Sequence, residues 1–162
     1  MEIKDTDLAW LAGFWDGEGS ITIFTHTEKN GQKKISPTIN VTNTDMNVIA
    51  HTSQILDALG TSFSVAHNKK DNIKHKDSYQ LTTRNMKYIE VVLEAMLPYL
   101  VCKKPQAILV LRYVKKKLQY LEQGKKPSYD DEDSELQQEV QAMNKRGKSP
   151  TSSETTRETH TD

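Results

Sequence analysis

Between Ser20 and Leu97 the chain passes twice through the same succession. Two short stretches carry an apolar residue at every second position, and a third carries them at helical spacing. In the first block "SITIFTHTE" sets Ile21 and Ile23 on one face and Ser20, Thr22, Phe24, His26 and Glu28 on the other. "KNGQ" turns the chain through Asn30-Gly31, and "KKISPTINVTN" sets Ile35, Ile39 and Val41 opposite Lys34, Ser36, Thr38 and Asn40. Pro37 has no N–H to give a ladder and points to an edge or an irregular stretch. Thr44 or Asp45 then caps a helix with Val48, Ile49, Ile55, Leu56 and Leu59 on its stripe and Gly60 at its end. The second block is "TSFSVAHN" and "KDSYQLTT", joined by the basic "KKDNIKH", then a helix from Asn85 that buries Met86, Ile89, Val92, Leu93, Met96 and Leu97. A helix over about Asp5–Asp16, capped by Thr6 or Asp5, precedes these blocks. Another, opened by Pro105 and closed by Gly124, follows them. The order α-ββ-α-ββ-α-α predicts an α+β fold, a four-stranded sheet with helices covering its apolar face.

The other sheet face would carry Ser, Thr, Asn, Gln, His and Lys with few acids. Such a face can simply be solvated, or it can read base edges in a DNA major groove. The net charge of +0 hides an uneven distribution. Residues 1–19 hold one Lys/Arg against five Asp/Glu, residues 20–121 fifteen against seven, and residues 122–162 six against ten. The body is basic between acidic ends, an electrostatic footprint suited to phosphates. A single cysteine, Cys102, excludes a disulfide framework and reads as a packed thiol in a reducing compartment. No apolar run reaches membrane-spanning length, and "MEIKDTD" is too acidic for a signal or transit peptide. The expectation is an intracellular protein of a prokaryotic cytoplasm or an organelle, not secreted and not membrane-bound. Residues 1–123 read as the core domain. Residues 124–162 read as an extension in which the solvated acidic run "DDEDSE" starts a short helix at about 131–143, before a flexible basic and polar tail.

The chemistry concentrates in "LAGFWDGEG", Leu11–Gly19. Ala12 and Gly13 flatten one helix face, and Gly13 and Gly17 are four apart. That pattern suits packing on the sheet, or a close approach of two helices. Asp16 and Glu18 fall at the helix end, where carboxylates oppose the helix dipole. A hard divalent cation would explain them. Mg²⁺ takes one or two carboxylates and completes its shell with water and phosphate oxygens. One chain offers few ligands, but two helices packed as a symmetric pair would bring two copies of Glu18 together, an arrangement suited to in-line phosphodiester hydrolysis.

These nine residues resemble the signature of the LAGLIDADG homing endonucleases, in the subclass with one motif per chain. Leu11, Ala12, Gly13, Asp16 and Gly19 match it letter for letter, and Glu18 stands for its last aspartate. The element order over about Asp7–Leu121 is similar to the family's αββαββα core. The resemblance implies a homodimer with Leu8, Leu11, Ala12, Gly13 and Asp16 at the interface and a saddle-shaped antiparallel sheet on double-stranded DNA. It implies Mg²⁺, with Mn²⁺ or Ca²⁺ able to take the same place, held by Glu18 and the Gly17 carbonyl. Asp16 would be the more structural acid. The resemblance further implies that Asn43 orders water and that a lysine after the third helix stabilises charge. Spacing to Pro98 and Ala107 favours Lys103, and Lys104 reads as a phosphate contact.

The implied DNA-contacting set is Ser20, Thr22, Phe24, His26, Glu28, Lys34, Ser36, Thr38, Asn40, Ser64, Asn68, Lys69, Lys70, Gln80, Thr82 and Lys104, with Lys145, Arg146 and Lys148 from the tail. The function implied is metal-dependent cleavage of both strands of a long pseudo-palindromic site. An intron RNA maturase and a cleavage-dead DNA-binding regulator are the alternatives on this fold. The five histidines show no metal-ligand spacing. His51 reads as an ordinary helix-face residue, His26 and His67 as lying on or beside the DNA face. Trp10 and Trp15 read as core or interface anchors.

Overall fold

The computed structural model describes residues 2–70 and 76–145. The short helix expected at about 131–143 forms as the last element, and the expected order holds. It runs α1 (Asp5–Glu18), β1 (Gly19–Thr27), β2 (Lys33–Asn43), α2 (Met46–Ala58), β3 (Ser64–Asn68), β4 (Ser78–Thr83), α3 (Met86–Met96), α4 (Lys104–Glu122), α5 (Asp131–Asn144). The four strands form one sheet in the order β1-β2-β4-β3, every neighbour antiparallel. Each ββ block thus contributes an outer strand first and an inner strand second. The register is set by the side-chain period of two, because a slip of one residue would turn Ile21, Ile23, Ile39 and Val41 out of the core.

Local chemistry fixes the turns and caps. Gly31 takes a positive φ of 82° in the β1–β2 hairpin, and Asn30 Oδ1 accepts the Gln32 N–H at 2.9 Å. The Asp45 side chain caps α2 and that of Asn85 caps α3. The α1 cap differs from expectation. The helix starts at Asp5 but its N-cap is Lys4, and Asp7 reaches back to accept the Lys4 N–H at 3.0 Å. At the other end α1 runs through Gly17 to Glu18, and the Gly19 N–H still donates to the Trp15 carbonyl. Gly17 therefore does not stop the helix. Gly19 has an extended backbone (φ −87°, ψ 165°), so helix passes into strand with no loop between. A Cβ at Gly19 would lie 2.3 Å from Trp15 Cδ1, whereas one at Gly13 or Gly17 would meet nothing within 4 Å.

One core joins all layers except β3. Leu11, Ala12 and Trp15 of α1 meet Ile21 and Ile23 of β1, Ile39 and Val41 of β2, and the inner stripes of α2, α3 and α4. Burying each large aliphatic side chain here contributes about 1.5–3 kcal/mol. The edge strand β3 is exposed along its length. β4 pairs with β2 only from Ile39 onward, so Lys33–Thr38 of β2 has no β4 partner, and Pro37 falls in that open edge.

The acidic run after residue 129 departs from expectation. It is docked rather than solvated. Asp133 has no exposed surface and pairs with Lys117, itself 3% exposed. Lys116 bridges Asp130 at 2.6 Å and Glu132 at 2.8 Å, and Arg112 meets Glu132 at 2.7 Å. Burial works against the Lys116 charge, but the hydrogen bonds it donates to Asp130 and Glu132 outweigh it and raise its pKa. The same bonds lower the pKa of Asp130 and of Glu132. Leu136 and Val140 complete the shared core, and Asn144 Nδ2 donates to the Ile21 carbonyl at 3.1 Å. The extension thus begins as part of the core, and the expected tail with Arg146 and Lys148 lies outside the described residues. Among the described residues no helix is long and apolar enough to cross a membrane.

Candidate active site and nucleic-acid interface

The end of α1 is built by contacts 85 and more residues apart in sequence. Val101 N–H donates to Asp16 Oδ2 at 2.7 Å, and Lys103 N–H donates to Asp16 Oδ1 at 2.8 Å. The Lys103 ammonium in turn donates to the Asp16 carbonyl oxygen. Asp16 is therefore a staple holding the α3–α4 connection against the last turn of α1. Its charge at a helix C-terminus is offset by two backbone donors and a cation, so stability does account for this acid. Both of its carboxylate oxygens are thus committed to contacts within the chain. Glu18 has no such role. It is exposed at the helix–strand junction, beside the exposed Gly17.

Lys103, rather than Lys104, is the lysine brought to this end of α1; Lys104 is exposed at the first position of α4. Asn43 arrives from the sheet. The β1–β2 register pairs Gly19 with Val41, so Asn43 lies two positions further, at the end where α1 delivers Glu18. Its Oδ1 accepts the Asp45 N–H at 2.8 Å, which leaves the amide NH₂ as a donor. Among the described residues no three His, Cys, Asp or Glu side chains gather as a metal site. The oxygen donors of one chain at this point are the Glu18 carboxylate and nearby main-chain carbonyls. They fit a hard cation only if phosphate, water or a second copy completes its shell.

Cross-strand pairing gathers the expected DNA-contacting residues on one sheet face. Ser20, Asn40, Thr82 and Ser64 form one row across all four strands. Thr22 opposes Thr38, Phe24 opposes Ser36, His26 opposes Lys34, and Asn68 opposes Ser78. Gln80 donates to Thr42 Oγ1 at 3.2 Å on the same face. Two members differ from expectation. Thr38 is 5% exposed and its hydroxyl is buried, which removes it as a base contact. Glu28 meets Lys34 at 3.4 Å across the hairpin, an exposed pair of the kind that contributes little to stability. Lys69, Lys70 and Lys145 are exposed. Before β4, Asp77 accepts the Lys70 N–H at 3.0 Å and meets His67 Nε2 at 2.9 Å. The hydrogen bond from Lys70, then that from His67, lowers the Asp77 pKa. His67 opposes and stacks on Tyr79 at 4.8 Å, one residue out of phase with Asn68, and so leaves the DNA-facing row.

The expected dimer contact also needs correction. Leu11 and Ala12 have no exposed surface because both point into the chain's own core. The open face of α1 is instead Thr6, Ala9, Trp10, Gly13 and Gly17, with Leu8 and Phe14 half-buried at its margins. Trp10 is 38% exposed, stacked on Phe14 at 5.3 Å and edge-on to His51 at 4.5 Å, while Trp15 is a core residue. Cys102 is exposed rather than packed.

Arg84 was missing from the expected set. It leaves β4 on the side of Gln80 and Thr82, and its guanidinium lies 5.3 Å from the Phe24 ring centroid. Carrying the alternation Gln80, Thr82 one step past the strand end would have found it. Two depressions in the surface meet on Arg84. One, of about 560 Å³, is lined by Ser64, Gln80, Thr82 and Tyr88. The other, of about 600 Å³, follows the open edge of β2 past Lys34 and Ser36.

The model of the LAGLIDADG-like domain family matches residues 5–96, more than half of the chain. No curated protein matches the sequence. Among solved structures, the homing endonuclease I-CvuI, crystallised with its target and Ca, is 24% identical, with a TM-score of 0.63 over 86% of this chain and 82% of that one. The archaeal intron-encoded homing endonuclease I-Vdi141I, complexed with DNA, is 15% identical, with a TM-score of 0.66 over 89% and 87%. The LAGLIDADG homing endonuclease I-GzeII, in complex with a DNA target, is 19% identical, with a TM-score of 0.57. The match covers 88% of this chain but 44% of that one.

Proposed function

Since the chain belongs to the LAGLIDADG family, we propose that it is a site-specific homing endonuclease that cuts both strands of a long pseudo-palindromic DNA site as a homodimer. The observation that carries this reading is the junction where α1 ends. An exposed carboxylate, Glu18, with no hydrogen bond or ion pair among the described residues, lies two residues past Asp16, which binds Lys103 through its carboxylate and its carbonyl.

Each residue then has a task. Glu18, with the Gly17 carbonyl, would hold a divalent cation, Mg²⁺ by its preference for oxygen ligands, with Mn²⁺ or Ca²⁺ able to substitute. When bound, that ion supplies charge neutralisation at the scissile phosphate and eases deprotonation of water. Lys103, oriented by Asp16, offsets the negative charge that grows on the phosphate during displacement. Asn43 presents its NH₂ to a water or phosphate oxygen, since its Oδ1 serves the turn into α2. The polar sheet face lies on the major groove, and exposed lysines contact phosphates.

Two observations support a pair of copies. Gly13 and Gly17 are not needed for packing within the chain, and they lie on an open helix face. The chain also spans only 44% of I-GzeII, as one of two such units would. The test uses a plasmid carrying the joined flanks of the reading frame's own insertion site. Wild type with Mg²⁺ should linearise it, and Glu18→Gln should bind it without cutting. No cutting by wild type, with splicing of the host transcript retained, would sink this reading in favour of a maturase. Sedimentation showing a monomer both free and on DNA would sink the two-copy active site.

A further inference from the structure

Arg84 is the feature of the polar face that the reading above leaves without a task. It is the only arginine between Met1 and Leu111, and among the described residues it forms no ion pair. It leaves the inner strand β4, whereas the ring it covers belongs to the outer strand β1, with β2 between them. Its side chain must therefore reach diagonally across β2. That puts the guanidinium over the sheet face rather than at its rim, where Lys34, Lys69 and Lys70 stand at or just beyond strand ends.

A guanidinium lying against an aromatic ring is held by attraction to the ring face, while its N–H fork stays open at the edge. The fork matches the O6 and N7 acceptors that guanine presents in the major groove. Phe24 removes part of the entropic cost of fixing a long side chain before DNA arrives. The depression on one side of Arg84 is lined mostly by hydroxyl and amide side chains, Ser64, Gln80 and Thr82 among them, with Tyr88 the one large ring, which leaves room for a base edge to approach. We propose that Arg84, braced by Phe24, reads one guanine in each half of the target. The inference rests on the DNA-binding reading given above and assigns a base to a residue within it.

The test is selection from a pool of randomised duplex DNA, with the retained molecules sequenced, for wild type, Arg84→Ala, Arg84→Lys and Phe24→Leu. Wild type should select a two-fold motif that includes an invariant guanine in each half. Arg84→Ala should keep the motif but lose preference at that one symmetric position. Its affinity for the wild-type duplex should fall roughly ten- to a hundredfold, the range of a bidentate arginine–guanine pair. Arg84→Lys and Phe24→Leu should relax the same position less. An unchanged motif for Arg84→Ala would overturn the proposal. So would equal weakening on every duplex with the salt slope reduced by about one, the mark of a phosphate contact. If wild type selects no motif at all, the DNA-reading function fails, and this inference with it.

Discussion

The buried pair between α4 and α5 can be broken from one side by Lys117→Met. Lys117 is 3% exposed and Asp133 is fully buried, so neither charge can turn to water. Lys117 also donates to the Ser128 carbonyl at 2.6 Å and lies 5.3 Å from the Tyr113 ring centroid. Methionine keeps the length and the apolar stem but leaves Asp133 a buried carboxylate. Losing one partner of such a pair costs about 3–5 kcal/mol. The lower end applies here, because Lys116 remains 3.4 Å from Asp133 and the Asp130 N–H still donates to it at 3.0 Å. About 3 kcal/mol in a chain of this size lowers Tm by roughly 6–12 °C. Circular dichroism melts at neutral pH measure it, and limited proteolysis between Gly124 and Asp130 reports whether α5 has left α4. The double variant Lys117→Met/Asp133→Leu should recover most of the loss, since matched apolar groups often replace a buried pair without penalty. A single variant melting within about 2 °C of wild type, or a double variant no better than the single, would refute the reasoning.

Gly19→Ala should destabilise the fold, because its Cβ would overlap Trp15 at 2.3 Å. Gly13→Ala should leave the monomer intact or firm α1 by about 1 kcal/mol, while weakening self-association in sedimentation. Asp16→Ala should cost about 1.5–3 kcal/mol in a denaturant melt, the worth of hydrogen bonds to a charged acceptor, and should slow cutting more than it weakens DNA binding. The α4–α5 ion pairs should also respond to pH. Asp130 and Glu132 have lowered pKa values, so their contribution is full above the ordinary carboxylate range and lost as pH falls through the lowered values. Lys116 has a raised pKa, so its contribution is full below the ordinary lysine range and lost only above the raised value. Proteolysis of the 124–130 segment should stay slow from mildly acid to mildly alkaline conditions and speed up in strong acid.

The strands were legible because alternation is a local signal. β2 falls at Lys33–Asn43 as its pattern predicts, and Asn85 caps its helix as expected. What escaped the sequence was set by partners far along the chain. Asp16 read as a misplaced acid because its donors, Val101 and Lys103, come from the other end of the core. Asp133 in "DDEDSE" read as solvated, because the docking against Lys117 that buries it does not show in the acidic run alone. Ala12 and Gly13 are neighbours in the motif yet face opposite ways, one into the core and one open. Small size suits both fates, so composition could not separate them.

The loopless passage from Glu18 into Gly19 ties two distances into one. The acid proposed to cut ends α1, and the strand that begins the proposed reading surface starts at the next residue, braced under Trp15. A residue inserted between Glu18 and Ser20 would turn every β1 side chain to the opposite face. A substitution anywhere along the sheet would leave that spacing unchanged. The phase between the bond that is cut and the bases that are read is thus fixed by backbone geometry, while the identity of those bases can drift one side chain at a time.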